Sequence, residues 1–207
     1  MSMRSTSTSI VLHGRRINLR TLVEADYSGW FEVRSRCRDW LLKWEPRAAT
    51  GAHLPDDRRS FAHRCGVRDR ERELGSGFGF GIFTEQRFVG ELTISSISRG
   101  PLQSAFIGYW IDEAVAGQGL MPEAVVVALQ YAFESLRLHR VEINIIPRNS
   151  ASRRVVEKLG LRFEGVAERY LEIDGAWEDH ARYAITAEEW QQRAPEIVTT
   201  WLLPRLN

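Results

Sequence analysis

The run "LMPEAVVVALQYAFESL" (Leu120–Leu136) constrains the fold more than any other stretch of this chain. From Glu123 to Glu134 the strongly polar residues, Glu123, Gln130 and Glu134, fall at intervals of seven and four, and everything between is apolar. A helix patterned in this way offers water only a narrow stripe and must lie flat on a sheet. The chain enters it through "VAGQG" (115–119). There Gly117 and Gly119 allow a tight turn and a close approach of backbone to a ligand, and Pro122 falls in the first helical turn, where a missing N–H costs nothing. The amides of Gly117, Gln118, Gly119, Leu120 and Met121 then point one way, which makes the helix N-terminus a ready site for a pyrophosphate. The plain alternative is a glycine-rich connection that holds nothing, and a lone G-x-G does not choose between the two.

Two other phosphate-binding arrangements do not fit. A dinucleotide-binding fold wants G-x-G-x-x-G early in the chain, and the third glycine is absent. A nucleoside-triphosphate loop wants Gly-Lys-Ser/Thr, which is absent too.

The rest of the chain supplies the sheet. Ile17–Leu22 alternates as a strand does, and Glu24–Arg38 has helical spacing through Tyr27, Trp30, Phe31 and Val33. After "WLLKWEP" (Trp40–Pro46), Asp56–Glu73 reads as a charged, half-exposed helix with Phe61 and Cys65, and Val67 as a third candidate, on one side. "FGFGIF" and "FVGELTISSI", joined by a turn at Thr84–Arg87, read as an antiparallel pair, with Ala105–Asp112 as a third strand. Beyond the long helix come a buried strand at Val141–Ile146, a short helix at Ser150–Leu159, and two strands, Phe163–Ile173 and Trp177–Ile185, around "DGAW". A tail helix from about residue 187, carrying Trp190, Ile197, Trp201 and Leu202, is expected to cap the domain. The order of elements predicts one α/β (α+β) domain over residues 10–207, a mixed, mostly antiparallel sheet with helices on both faces. A polar, flexible N-terminus, residues 1–9, is expected to precede it.

Composition narrows the partners. At 207 residues a second full domain has no room. Lys plus Arg number 28 against 27 Asp plus Glu, so no global field draws the chain to nucleic acid or to a membrane. No stretch approaches the roughly 20 apolar residues of a membrane span. Cys37 and Cys65 are too few for a disulfide framework and stand in no metal-ligand spacing with the histidines, which fits a reducing cytoplasm and no metal.

Three linked stretches, "GYWIDEAVAGQGLMPEAV", "HRVEINIIPRNSASRRVVEKLGLRFEG" and "YLEIDGAWEDHARYAIT", resemble the GNAT superfamily of acetyl-CoA-dependent N-acetyltransferases. More narrowly the chain resembles the RimJ/RimL branch, which acetylates N-terminal α-amino groups of ribosomal proteins. The likeness runs from about Ile17 to Trp190, and "LLKWEP" and "SRG" (Ser98–Gly100) are similar to the RimJ side in particular. The family's pyrophosphate loop has the pattern Gln/Arg-x-x-Gly-x-Gly/Ala, onto which Ala116, Gly117, Gln118, Gly119, Leu120 and Met121 fall, departing at the first and last positions. The contacts that remain belong to the backbone, so acetyl-CoA stays the implied cosubstrate. The resemblance further implies that Ile107–Ile111 splays from Val141–Ile146, its parallel neighbour at the centre of the sheet. Pantetheine then enters the gap as an added strand.

The same resemblance assigns roles. Asn144 and Asn149 are placed to hydrogen-bond the pantetheine arm, with a turn role for Asn149 beside Pro147 as the alternative. The backbone N–H near Ile111 polarises the acetyl carbonyl. Ser152 stands where RimL-type enzymes put a hydroxyl near the coenzyme sulfur, unless it is only a polar residue at a helix N-terminus. Lys158 reaches a coenzyme phosphate or is a helix-end charge. Trp40, Trp44 and Glu45 stand near the expected acceptor entrance. For the base, an α-amino group of pKa about 7.7 to 8.0 asks only for a modest carboxylate, acting directly or through water. Glu91, a charge within an apolar strand, faces either the cleft or solvent; Glu45 and Glu172 are the alternates.

The expected function is transfer of acetyl from acetyl-CoA to a primary amine, by direct attack within a ternary complex, with a protein N-terminus such as a ribosomal protein's as acceptor. Acetylation of a small amine and a silent acyl-CoA-binding module are the competing readings. A homodimer is compatible with each.

Overall fold

In the computed structural model, which describes residues 10–47, 55–85 and 87–204, the apolar helix lies on an eight-stranded sheet of order β1-β2-β3-β4-β5-β6-β8-β7. The elements in chain order are β1 (Val11–His13), β2 (Asn18–Arg20), α1 (Tyr27–Arg36), α2 (Arg38–Leu41), α3 (Arg58–Glu73), β3 (Phe78–Thr84), β4 (Arg87–Ser98) and β5 (Ser104–Ile111). Then follow α4 (Leu120–Gln130), β6 (Arg140–Ile145), α5 (Ser150–Lys158), β7 (Arg162–Ile173), β8 (Ala176–Thr186) and α6 (Ala187–Trp201). Only the β5–β6 pair is parallel; the others in the sheet are antiparallel. The mixed sheet and the single α+β domain are as expected, and β2 falls within the strand expected at Ile17–Leu22, whereas β1, three residues long, was not foreseen. The N-terminus at residues 1–9 lies outside the described residues.

Two cores sandwich the sheet. Under α4, α5 and α6, Val125, Leu129, Val156 and Trp190 pack on Leu92, Ile107, Ile143 and Tyr183. On the opposite face Trp30 and Val33 of α1, Leu41 of α2 and Phe61 and Cys65 of α3 pack on Phe83 and Phe88. Phe31 and Val67, expected on the buried sides of their helices, are exposed. Every residue from Leu120 to Leu129 is buried, so α4 is the central helix that its composition demands. It stops at Gln130 and continues as a wide turn, Tyr131–Ser135, where Leu136 N–H reaches back to Tyr131 O (3.0 Å). A Thr186–Glu189 capping box starts α6, and Trp190 stacks on Phe133 at 5.7 Å.

Glu123 corrects the pattern reading of that helix. It belongs not to the water-facing stripe with Gln130 and Glu134 but to the interior, with no exposed surface. Its carboxylate accepts from Arg16 N (2.5 Å), Arg16 Nε (2.9 Å) and Ile17 N (3.3 Å). A buried charge persists only when paired and hydrogen-bonded, and the turn of the β1–β2 hairpin supplies both.

Among the described residues no helix covers the outer face of β6, β8 and β7, and an ion-pair network occupies part of it. Glu142 accepts from Arg140 (2.8 Å) and Arg182 (2.6 Å), and Glu164 pairs with Arg140 and Arg162. Hydrogen bonds from Arg140 and Arg162 hold the Glu164 carboxyl down at about 2. Burial works against ionisation of Glu142, but the bonds from Arg140 and Arg182 outweigh it and lower its pKa too. Carboxylates depressed in the folded state contribute stability that is whole above the unfolded pKa, about 4.3, and is lost as pH falls through the folded value. Melting temperature should therefore fall from about pH 4.3 toward pH 2, and Glu164→Gln should flatten that slope when followed by circular dichroism.

Candidate active site

Strands β5 and β6 pair only where Ser104, Ala105 and Phe106 meet Arg140, Val141 and Glu142. Beyond those positions they part, although β5 runs on to Ile111 and β6 to Ile145. Past Phe106, β5 keeps its pairing with β4 up to Ile111 opposite Gly90, so the gap opens on the β6 side alone. The backbone groups of β5 that face the gap are open to an added strand-like partner.

The glycine loop stands at the end of this gap. Asp112 begins it, wholly buried, with its N–H donating to Val89 O (2.7 Å). Its carboxylate accepts from Arg36 Nη2 (2.5 Å), Ala114 N (3.0 Å) and the Cys37 thiol (3.4 Å). Gly117 and Gly119 both take φ of +81°, a conformation that side chains disfavour. At Gly117 an added Cβ would meet open space, as a cradle for a bulky anion requires. Arg16 Nη1 donates to Gln118 O (3.0 Å) and so braces the loop. Gln118 N–H is spent on Val115 O (3.4 Å), while the N–H groups of Gly117, Gly119, Leu120 and Met121 have no backbone acceptor among the described residues. Four free amides at the start of α4 fit a diphosphate.

On the far side of the gap, Asn149 caps α5 by accepting from Ser152 N (3.1 Å). Ser152 Oγ donates to the Tyr109 hydroxyl (3.1 Å), which donates in turn to Ser152 O (3.1 Å). Burial pushes the Tyr109 phenol up, so it stays protonated and remains a donor. Sequence reasoning passed over Tyr109; the one signal for it was a hydroxyl within an otherwise apolar strand.

A cavity of about 510 Å³ joins these parts. Loop residues Gly117, Gly119, Leu120 and Met121 line it, as do Asn149, Ser152 and Lys158 of the α5 segment and Ile111 of β5. Trp40, Trp44, Glu45 and Glu91 complete the predicted set on the other side. Thr93, Trp110 and Arg154 line it as well and were not foreseen. Gln118 and Asn144 do not line it. The side chain of Gln118 lies against Ala114 O (3.4 Å). Asn144 alternates with Ile143 and Ile145, which pack under α4, and so lies on the opposite face of the sheet.

The cavity has two chemically different ends. Tyr109, Ser152 and the loop belong to the α4–α5 side, while Glu91 and Trp110, register partners on β4 and β5, face α1 and α3. Glu91 is 4% exposed and lines the cavity, so of its two expected orientations it takes the one toward the cleft. One oxygen accepts from Trp30 Nε1 (2.7 Å) and the other from Arg64 Nη2 (2.6 Å). Glu45 is held by Arg34, whose guanidinium lies 5.5 Å from the Trp110 ring centroid and 3.5 Å from Asp56. A carboxylate has about four lone-pair positions, so Glu91 keeps acceptor capacity for a third donor. Among the described residues no group of three His, Cys, Asp or Glu could hold a metal ion, and no helix is long and apolar enough to cross a membrane.

Parted parallel strands beside a helix N-terminus with open amides leave a cleft that an extended, phosphate-bearing ligand would fit. Comparison with known proteins gives that arrangement its family. Residues 16–162 match the Acetyltransferase (GNAT) domain family. The chain is 36% identical to the probable N-acetyltransferase YjcK of Bacillus subtilis (strain 168), over 88% of this chain and 100% of that protein. It is 31% identical to the [ribosomal protein uS5]-alanine N-acetyltransferase of Escherichia coli (strain K12), over 90% of this chain and 96% of that one. The structure of Mycobacterium smegmatis RimJ in complex with CoA-disulfide superposes with a TM-score of 0.83 at 33% identity, over 93% of both chains. The chain belongs to the GNAT acetyltransferases, on the RimJ/RimL side, and is an acetyl-CoA-dependent N-acetyltransferase.

Proposed function

We propose that the acceptor is the N-terminal α-amino group of a protein, a ribosomal protein in the first instance, and that a small amine is not the natural substrate. The observation that carries this reading is the state of the lining carboxylates. Glu45 is occupied by Arg34, and Glu91 by Arg64 and Trp30, so among the described residues the acceptor end offers no unpaired acid to a polycation. Its walls are Trp40, Trp44 and Trp110, which suit a singly charged amine attached to a larger body. The named activity of the Escherichia coli relative, acting on an alanine of uS5, points the same way.

In the reaction the ammonium first gives up one proton and its nitrogen bonds the acetyl carbon; as the C–S bond breaks the departing thiolate takes a second proton from the protein. The remaining extra proton on nitrogen is lost as the amide forms and restores that donor, so that one proton is released overall. Glu91 takes the first proton, directly or through one water, using its remaining acceptor capacity. Tyr109, kept protonated by burial and linked to Ser152, supplies the second. Backbone N–H groups near Ile111 steady the developing oxyanion. The free amides from Gly117 to Met121 hold the diphosphate, with Asn149 and Lys158 along the coenzyme's path.

The test offers acetyl-CoA with uS5, alanine- and serine-initiated peptides, spermidine and free amino acids, and follows thiol release. Turnover of uS5 or of peptides is expected. Turnover confined to small amines would overturn the reading, and coenzyme binding without any turnover would leave a silent binding module. Within the same assay Tyr109→Phe should lower kcat about tenfold or more and Ser152→Ala by less, because Ser152 acts through the tyrosine, while KM for acetyl-CoA changes little.

A further inference from the structure

On the face of β6, β8 and β7 that no helix among the described residues covers, two buried polar atoms have no partner among those residues. Asn144 Oδ1 is an acceptor without a donor, and Arg182 Nε is a donor without an acceptor. They stand on register-paired residues of β6 and β8. Arg182 spends Nη2 on Glu142 (2.6 Å), and Asn144 gives Nδ2 to the Tyr170 hydroxyl at a long 3.4 Å. A buried polar atom left without a partner is destabilising, so a matched donor and acceptor left open side by side need an explanation.

Their place in the sheet supplies one. Phe106 and Glu142 are register partners, so Gly108 and Trp110 on β5 share a face with Asn144 on β6, on either side of the gap. Trp44, at the acceptor end of the cavity, is tied to this face: Arg148 lies 5.2 Å from its ring centroid and pairs with Glu178 of β8 (2.8 Å). A chain whose first residue sits between Glu91 and Trp110 has this shelf beside it.

Tyr170 reaches the shelf from an irregular strand. The β7–β8 register shifts between Ala167 and Leu171, and within that bulge Arg169 takes φ of +46°, held by its N–H on Asp179 Oδ1 (2.8 Å). Bulges beside active sites re-aim side chains, and a non-glycine residue in this conformation carries strain that the surroundings must hold. Here the re-aimed side chain is that of Tyr170, 39% exposed and joined to the pair by one long hydrogen bond.

Building on the proposed polypeptide acceptor, we infer that Asn144 and Arg182 form a backbone-recognition subsite for its first few residues. One peptide N–H donates to Asn144 Oδ1 and a peptide carbonyl accepts from Arg182 Nε, as Tyr170 turns aside. The ligand class is an extended polypeptide of any side-chain sequence, because both contacts are to main chain.

An alanine-initiated tetrapeptide amide tests this, together with versions in which each amide N–H in turn is replaced by an ester oxygen, and with alaninamide as the minimal acceptor. One ester position should lower kcat/KM of the wild-type enzyme about tenfold, and Asn144→Ala should lower the peptide-to-alaninamide ratio of kcat/KM by a similar factor. The two losses should not add, since each removes the same hydrogen bond, and Asn144→Asp, which keeps an acceptor oxygen, should restore the ratio. The inference is overturned if no ester position matters, if the ester loss persists undiminished in Asn144→Ala, or if that variant raises KM for acetyl-CoA instead. The ester scan uses wild-type protein and stands even if a variant does not fold. Failure to acetylate any peptide or uS5 removes the acceptor reading itself; peptides acetylated with no ester effect remove only the subsite.

Discussion

Glu91→Gln should lower kcat/KM for a peptide acceptor by about a hundredfold at pH 7 and leave acetyl-CoA affinity nearly unchanged. The amide keeps a carbonyl for Trp30 Nε1, and the altered atom lies on the acceptor side of the sheet, away from the glycine loop. What it loses is the ability to accept a proton. An α-ammonium with a pKa of about 7.7 to 8.0 is largely neutral by pH 9, so the deficit should shrink as pH rises through that range. Steady-state kinetics at both pH values separate the cases. A deficit of equal size at pH 7 and pH 9 would mean that Glu91 merely anchors Arg64 and Trp30, and the base would then be sought at Glu45, since Glu172, the other alternate, is exposed on β7 and does not line the cavity.

Gly119→Val should weaken acetyl-CoA binding by an order of magnitude or more. At φ of +81° a side chain costs roughly 1–2 kcal/mol, and a branched one sits at the upper end. The added Cβ would also lie 3.4 Å from Arg16 Nη2, the group that braces the loop through Gln118 O. The loop relieves that strain by turning its amides, and the diphosphate loses the donors that hold it. Calorimetric titration with CoA measures the effect. Unchanged affinity would separate the loop from coenzyme binding, and the parted strands would then have to hold the carrier alone.

Much of this fold is legible in the sequence because its central elements are strongly periodic. An apolar helix from Leu120 and the buried strand beside it require a sheet, and the glycines at 117 and 119 mark the point where strand gives way to helix. What escaped the pattern has physical causes. Glu123 reads as a surface residue because its compensating partner, Arg16, is 107 residues away, in the turn between β1 and β2. Tyr109 hides in an apolar strand because its meaning depends on Ser152, across a gap that spacing along the chain does not reveal. Asn144 is polar in an apolar strand, which flags it, but its face is fixed only by register with Glu142 and Arg182. Glu91 was singled out by charge alone, while the side chains that engage it, Trp30 and Arg64, come from two separate helices.

The Asp112 carboxylate bears on how such enzymes diversify. One buried side chain receives Arg36 and Cys37 from the helical layer on the proposed acceptor side, and also starts the glycine loop proposed to hold the coenzyme. Transplanting that helical layer from a relative to change acceptor preference would therefore disturb the donor half unless the residues at 36, 37 and 112 travel together. Directed-evolution libraries confined to Trp40, Trp44 and Trp110, which leave this joint alone, offer the safer route to new acceptors.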